Sequence, residues 1–175
     1  MDREIRTDDL DDTKERAEYF RFGLMLGVHT VSDVVRWADS EIKRQVKPPY
    51  IFIELSLMEH SSPKDVRTKL NKFPGSVDKS KILRKILPKL LGHMYFLLSH
   101  HPEYGPTLAN NLYQIYVELD QELGYFSLPQ ELYPMLALDD QYSLAQQGTY
   151  GTEQEVLQDF LAFLKPYAET LNESI

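Results

Sequence analysis

Five histidines, His29, His60, His93, His100 and His101, are the first residues to test for metal or acid–base chemistry. No two lie three or four positions apart, so no helix presents two imidazoles to one ion. His93 and His100 fall two helical turns apart on one face, about 10 Å by the helical rise. That is too far to share a metal without further ligands. No Glu precedes a His by three positions, which removes the ligand pattern of helical di-iron bundles. Core packing, or a place at a helix C-terminus facing the dipole, accounts for these residues without catalysis.

Carboxylates offer two candidates. Glu118 and Glu122 are four apart, so on a helix they face one side. They either bind a cation together or form a solvated flank. Glu54 stands inside the apolar run Tyr50–Met58. Burial there would require a hydrogen-bond partner or a raised pKa. Arg36, His60 or a tyrosine could supply the partner. A pairing role competes with an acid–base role. No nucleophile elbow, Walker loop or dinucleotide fingerprint is present. Gly148-Thr-Tyr-Gly151 is a turn too short to cradle a phosphate. With no cysteine, thiolate metal sites, disulfides and thiol catalysis are excluded, and no cofactor is expected.

Charge is more informative in its placement than in its total of −8. From Lys64 to Lys89 nine cations face only Asp65 and Asp78. From His101 onward Lys165 is the sole cation against twelve carboxylates. Either the two regions complement each other within the fold, or the acidic half meets a basic protein. Eight of the eleven tyrosines, Tyr104, Tyr113, Tyr116, Tyr125, Tyr133, Tyr142, Tyr150 and Tyr167, share that acidic half. Tyrosine either covers a core with its hydroxyl in water or serves an interface. Nucleic acid is not expected as a partner. The basic stretch before Tyr95 holds only Phe73 for stacking, and the global charge opposes phosphate. A membrane is not expected either, because Ile86–Ser99 is interrupted by Lys89 and His93. The charged start Met1-Asp2-Arg3-Glu4 lacks an apolar signal core, and the absence of cysteine suits a reducing cytoplasm.

The elements that would position these residues read as helices. Residues 1–11 form an acidic terminus expected to be frayed, and residues 12–175 one helical domain. Helical apolar spacing runs through Asp12–Leu26, stopped by Gly27, and then through Val31–Ile42, capped by Thr30 or Ser32. Trp37 lies at the edge of that second stripe. Tyr50–Met58 fits either alternation or helix, and helix is preferred because no ladder partner is evident. Ser62-Pro63 starts a further helix, and Ser80–His100 reads as the central one. Pro88 either kinks it or starts a second helix. Thr107–Leu123, Gln130–Leu138 and Thr152–Leu171 complete an all-α, compact irregular bundle of roughly seven or eight helices around a central apolar helix. Asp139–Gly151 reads as part loop, part helix.

The stretch Val31-Ser-Asp-Val-Val-Arg-Trp-Ala-Asp39, followed by Pro48-Pro-Tyr-Ile-Phe-Ile-Glu-Leu-Ser-Leu57, resembles a segment of small uncharacterised bacterial helical proteins. Some of those look like immunity proteins of toxin systems. The resemblance covers about 30 residues. It implies that Trp37, Asp39, Pro49, Tyr50 and Glu54 form one local corner, but no activity. Two functions follow. The leading one is a non-catalytic binding protein, an immunity or regulatory factor with an acidic Tyr-rich surface. Its candidate contact residues are Trp37, Asp39, Tyr50, Glu54, Tyr113, Tyr116, Glu118 and Glu122. The alternative is an enzyme or ligand-binding domain with a pocket near Glu54, His60 or His93. Oligomeric state is open, and a structural homodimer is a third possibility.

Overall fold

The computed structural model describes residues 13–123 and 128–173, and every regular element among them is helical. The acidic terminus, the Gly124 stop and the Tyr125 ring lie outside the described residues. Backbone proximity divides the chain into two compact units. The N-terminal unit contains His29–Ile86 and the chain up to Leu24. The C-terminal unit contains Leu87 onward together with Met25–Val28.

Helix α1, Thr13–Leu26, is unusual in burying nearly every side. Ala17, Tyr19, Phe20, Phe22 and Leu24 are buried, as an apolar stripe requires, but so are Lys14, Glu15, Glu18 and Arg21. Removing such charges from water is costly unless each is matched. Glu15, 2% exposed, takes hydrogen bonds from Lys81 and from Lys85 at 3.1 Å. Glu18 accepts from Lys14 at 3.0 Å and from Arg21 at 2.7 Å. Lys14 also donates to the Asn71 carbonyl at 3.2 Å.

Helix α2, Val31–Arg44, begins at Thr30, whose hydroxyl accepts from the Asp33 amide while the Asp33 carboxylate accepts from the Thr30 amide. This reciprocal cap satisfies two of the helix's orphan donors. On its far side Glu41 is buried and collects Arg16 at 3.1 Å, Arg44 at 2.5 Å and Gln45 at 2.9 Å. Helix α3, Tyr50–Ser56, takes the helical option for the ambiguous run. It buries Phe52 and Leu55 and leaves Tyr50 and Ile53 exposed. Helix α4, Pro63–Leu70, follows the Ser62 cap with proline in its first turn. Trp37, Phe52, Phe73 and Phe20 form the aromatic heart of this unit, with ring centroids 5.1–5.6 Å apart in successive pairs.

The expected Ser80–His100 helix is broken in character. Helix α5, Lys79–Lys81, widens into a π turn at Ile82–Ile86, and α6, Leu87–His100, follows. Pro88 sits in the first turn of α6. Its ring would meet the Arg84 carbonyl in a regular helix, and a widened turn just before it relieves that conflict. The boundary between the two units falls at the same place.

In the C-terminal unit α6 is followed by a 3-10 turn, Pro102–Tyr104, and α7, Gly105–Leu123. A second 3-10 turn, Gln130–Leu132, leads into α8, Pro134–Gln146, and then α9, Glu153–Glu173. Helix α9 runs on through Pro166. Gly92 lets α6 and α9 approach closely. A Cβ there would lie 2.8 Å from the Tyr167 carbonyl oxygen and 2.4 Å from Leu171. The segment expected to be part loop is helical to Gln146, because Met135, Leu138 and Tyr142 bury one stripe at spacings of three and four.

The α1 ion pairs make a testable asymmetry. Lys81 and Lys85 are partly exposed, whereas Glu15 is not. Glu15→Gln frees two lysines that can reach water, at a cost of about 1–2 kcal/mol. Lys81→Ala with Lys85→Ala strands a buried carboxylate, at about 3–5 kcal/mol. Urea titration of the two variants measures the difference, and the opposite order would contradict this account. The same pairs set an acid limit. Burial raises the Glu15 pKa, but hydrogen bonds and charge from Lys81 and Lys85 outweigh it and leave the carboxyl below its ordinary 4.5. Glu41 is lowered in the same way by Arg44, Gln45 and Arg16 against its burial. A depressed folded pKa gives stability that is complete above the unfolded value. Stability should therefore decline as pH falls below about 4.5, and less steeply in Glu15→Gln.

Candidate functional site

A cleft of about 430 Å³ opens in the C-terminal unit. Its size falls within the range of small-ligand sites. One wall is the end of the α6–α7 connection, with Pro102, Glu103 and Pro106. The other comes from the last turns of α8, through Tyr142 and Gln146, and the first turns of α9, through Glu153, Gln154 and Leu157.

Local sequence explains why these two helix ends meet. Gly148 at φ 66° and Gly151 at φ 67° adopt the left-handed conformation that glycine reaches without strain. The Thr149 amide returns to the Leu144 carbonyl at 2.9 Å and closes α8. Thr152 then opens α9 with a second reciprocal cap. Its hydroxyl accepts from the Glu155 amide at 3.2 Å, and Glu155 accepts from the Thr152 amide at 2.8 Å. Glu155 is thereby occupied with the cap, and Glu153 and Gln154 line the cleft. Gln146 donates to Glu153 at 3.4 Å, and Glu103 lies 3.2 Å from His101 Nδ1. His101 stacks on Tyr104 at 5.2 Å.

Tyr142 is the unusual member. It is 3% exposed, and its hydroxyl makes no hydrogen bond among the described residues. Burial, followed by the charge of Glu153, pushes its pKa up to about 12. The oxygen lies against Gly105. A Cβ at that position would come within 2.2 Å of the hydroxyl, so only glycine fits under it. A buried hydroxyl without a partner carries a desolvation cost that packing must offset.

The residues singled out by sequence are scattered relative to this cleft. Trp37 is in the aromatic core, 7% exposed, not at its edge. Its indole N–H has no partner among the described residues. Asp39 is half-buried and forms no hydrogen bond or ion pair among the described residues. Tyr50 is 72% exposed at the start of α3. Glu54 is only partly buried and pairs with Lys69 at 2.8 Å, not with Arg36, His60 or a tyrosine. The expected Trp37–Asp39–Tyr50–Glu54 corner makes no mutual hydrogen bond or ring contact among the described residues, although Trp37 reaches α3 through Phe52. Tyr113 is exposed and stands 6.4 Å from Tyr116. Glu118 is half-buried and engaged, and the side chain of Glu122 lies outside the described residues. None of Glu54, His60 and His93 lines the cleft. Burial, with Lys89 nearby, lowers the His93 pKa. Among the described residues no three His, Asp or Glu are grouped to hold a metal ion, and no helix is long and apolar enough to cross a membrane.

No family model matches the chain, and no curated protein and no solved structure matches it.

Removing the Tyr142 hydroxyl should reveal its cost. Tyr142→Phe is expected to leave stability unchanged or raise it by up to about 1 kcal/mol at pH 7. Above pH 10 the unfolded chain ionises this tyrosine, while the folded chain holds its proton until about 12. Stability is therefore lost as pH rises through that interval. Thermal unfolding between pH 7 and 11 should show a shallower alkaline decline in Tyr142→Phe. A marked destabilisation at pH 7 would mean that the hydroxyl has a structural partner.

Proposed function

We propose that the chain is a non-catalytic protein-binding domain, and that its C-terminal unit engages a basic surface on another protein. The carrying observation is how charge divides. Residues 13–86 hold fifteen Lys and Arg against nine Asp and Glu, whereas residues 87–175 hold two against twelve. Two cations cannot neutralise twelve carboxylates, so that unit presents a net negative field. It also exposes Tyr104, Tyr113, Tyr133 and Tyr150. Rigid amphipathic rings bury large area at small entropic cost, while surrounding carboxylates steer a cationic partner and reject an anionic one. The resemblance of Val31–Asp39 and Pro48–Leu57 to small bacterial helical proteins, some of which look like immunity proteins, is in keeping with a cytoplasmic immunity or regulatory factor.

Affinity capture from cells encoding the chain tests this reading. Wild type should retain a basic protein at low salt and release much of it at moderate salt. A Tyr104→Ala, Tyr133→Ala, Tyr150→Ala triple variant should retain at least about tenfold less, since interface aromatics often contribute more than 1 kcal/mol each. Recovery of no partner at either salt, or equal recovery by the variant, would defeat the proposal. A sizing column run alongside identifies a second copy of the chain as the captured species, which would also defeat it.

A further inference from the structure

Helix α3 turns an apolar ridge outward. Tyr50, Ile53 and Leu57 fall three and four positions apart, so they line one side of the helix, opposite the buried Phe52 and Leu55. Tyr50 is 72% exposed and Leu57, at the C-cap, 81%. Val46, in the connection from α2, is exposed completely. Soluble proteins seldom leave a contiguous apolar patch uncovered without a use. Glu54 borders the ridge, but Lys69 matches its charge at 2.8 Å. Lys43 and Lys47, on the chain leading into the ridge, are exposed and have no ion-pair partner among the described residues. The ridge is therefore apolar with an unbalanced positive flank.

We propose that a second copy of the chain covers this ridge, which enters the cleft of that copy's C-terminal unit. This self-contact goes beyond the protein-binding reading above and does not depend on it.

The matching surface is carried by the chain itself. The ridge is convex and the cleft concave, and the cleft has an apolar wall of Pro102, Pro106 and Leu157 for aliphatic side chains to pack on. Its other lining residues include the exposed Glu103 and Glu153, and the exposed Tyr104 follows Glu103 directly. Tyr150, also exposed, stands in the turn that joins the two helix ends forming the opposite wall. Carboxylates on the rim would meet Lys43 and Lys47, and the rings would close over Tyr50 and Leu57. The charge of the two units favours the same pairing. Residues 13–86 carry fifteen cations against nine carboxylates, and residues 87–175 two against twelve. Copies meet here through unlike surfaces, so the contact is heterologous and passes from copy to copy unless it closes into a ring. Its small apolar core makes it a weak, transient contact. The acidic face would be covered in such an assembly until a basic partner competed for it.

Sedimentation velocity of the full chain at low and moderate salt tests this, over roughly 10–500 µM, the range of weak contacts. The average sedimentation coefficient should rise with concentration at low salt and fall back at moderate salt. Ile53→Ser/Leu57→Ser and, separately, Tyr104→Ala/Tyr150→Ala should each weaken association at least about tenfold. Lys43→Glu/Lys47→Glu, at two exposed side chains, should do the same and serves in place of the ridge variant if that one fails to fold. Mixing the ridge variant with the tyrosine variant should restore a one-to-one pair that grows no further, because one keeps the cleft face and the other keeps the ridge. A wild type that stays monomeric throughout would overturn the proposal. So would association that survives the tyrosine variant, which marks a ridge-on-ridge pair, or a mixture that stays monomeric. Binding of a monomeric wild type to phosphatidylglycerol vesicles, lost in the ridge variant, would assign the ridge to an anionic membrane and overturn it too. The two readings fail separately. A monomeric chain that captures a basic protein keeps the earlier reading and removes this one. Association of copies with no other protein captured does the reverse.

Discussion

Charge withdrawn from water has to be met by opposite charge, and helix α1 imposes that requirement on the N-terminal unit. Lys14, Glu15, Glu18 and Arg21 share one arc, about 120° wide, of a helix that is buried almost all round. Each must find a partner within reach, and the partners come from its own next turn and from residues 71, 81 and 85. The basic stretch around Lys79–Lys85 thus has an internal purpose, since two of its lysines converge on Glu15. Such pairs are weak as a source of net stability, because desolvation consumes most of the Coulombic gain. They are strong as a constraint, because any arrangement that separates them leaves a charge stranded.

The C-terminal unit handles the same problem differently. It has almost no cations for pairing, and several of its carboxylates sit instead at helix starts or beside amides. Glu155 closes the cap of α9, and Asp139 accepts from Asn110 at 3.4 Å. Its interior is apolar, with Leu90, Leu91, Met94 and Leu98 from α6 and Phe160 and Leu164 from α9. The exception is Tyr142, whose hydroxyl is enclosed over Gly105 without a partner among the described residues. Natural folds tolerate such a defect where it serves a purpose other than stability.

Helical periodicity made the fold class readable, and cap and stop residues made many of the boundaries readable. Thr30, Ser62 and Thr152 begin helices, and Gly27 ends one, because their chemistry is local and needs no tertiary information. What escaped was non-local. The charges of α1 look like an ordinary solvated flank in the sequence, and only packing reveals that they are buried. Trp37 looked peripheral on a helical wheel, but Phe20, Phe52 and Phe73 surround it from other elements. Glu54 looked buried because its neighbours in sequence are apolar. On the helix only Phe52 and Leu55 are fully buried, and Glu54 shares the opposite side with the exposed Tyr50 and Leu57, within reach of Lys69. The cleft was hidden for the same reason, since Glu103, Tyr142 and Glu153 are separated by 39 and 11 positions. The Gly148–Gly151 turn and the Thr152 cap were visible, and together they bring α8 and α9 end to end. Nothing in either sequence segment indicated that the α6–α7 connection would close the third side.

Under the proposed reading, the segregation of charge along the chain separates two tasks that one surface often has to combine. Long-range attraction depends on net charge and is weakened by salt over distances of roughly a Debye length, about 8 Å at physiological ionic strength. Selection depends on contacts that are closed to water and only weakly screened. Twelve carboxylates spread over one unit serve the first task without any fixed geometry, which is why their individual positions carry little information. The exposed rings of Tyr104, Tyr113, Tyr133 and Tyr150 differ in offering area that a partner can close to water. A basic protein that does not match those rings in shape would still be attracted, but it would leave them open to water. Discrimination would then reside in the aromatic contacts and encounter rate in the many exposed carboxylates. In this arrangement the rings can be altered by single substitutions while the field around them stays the same.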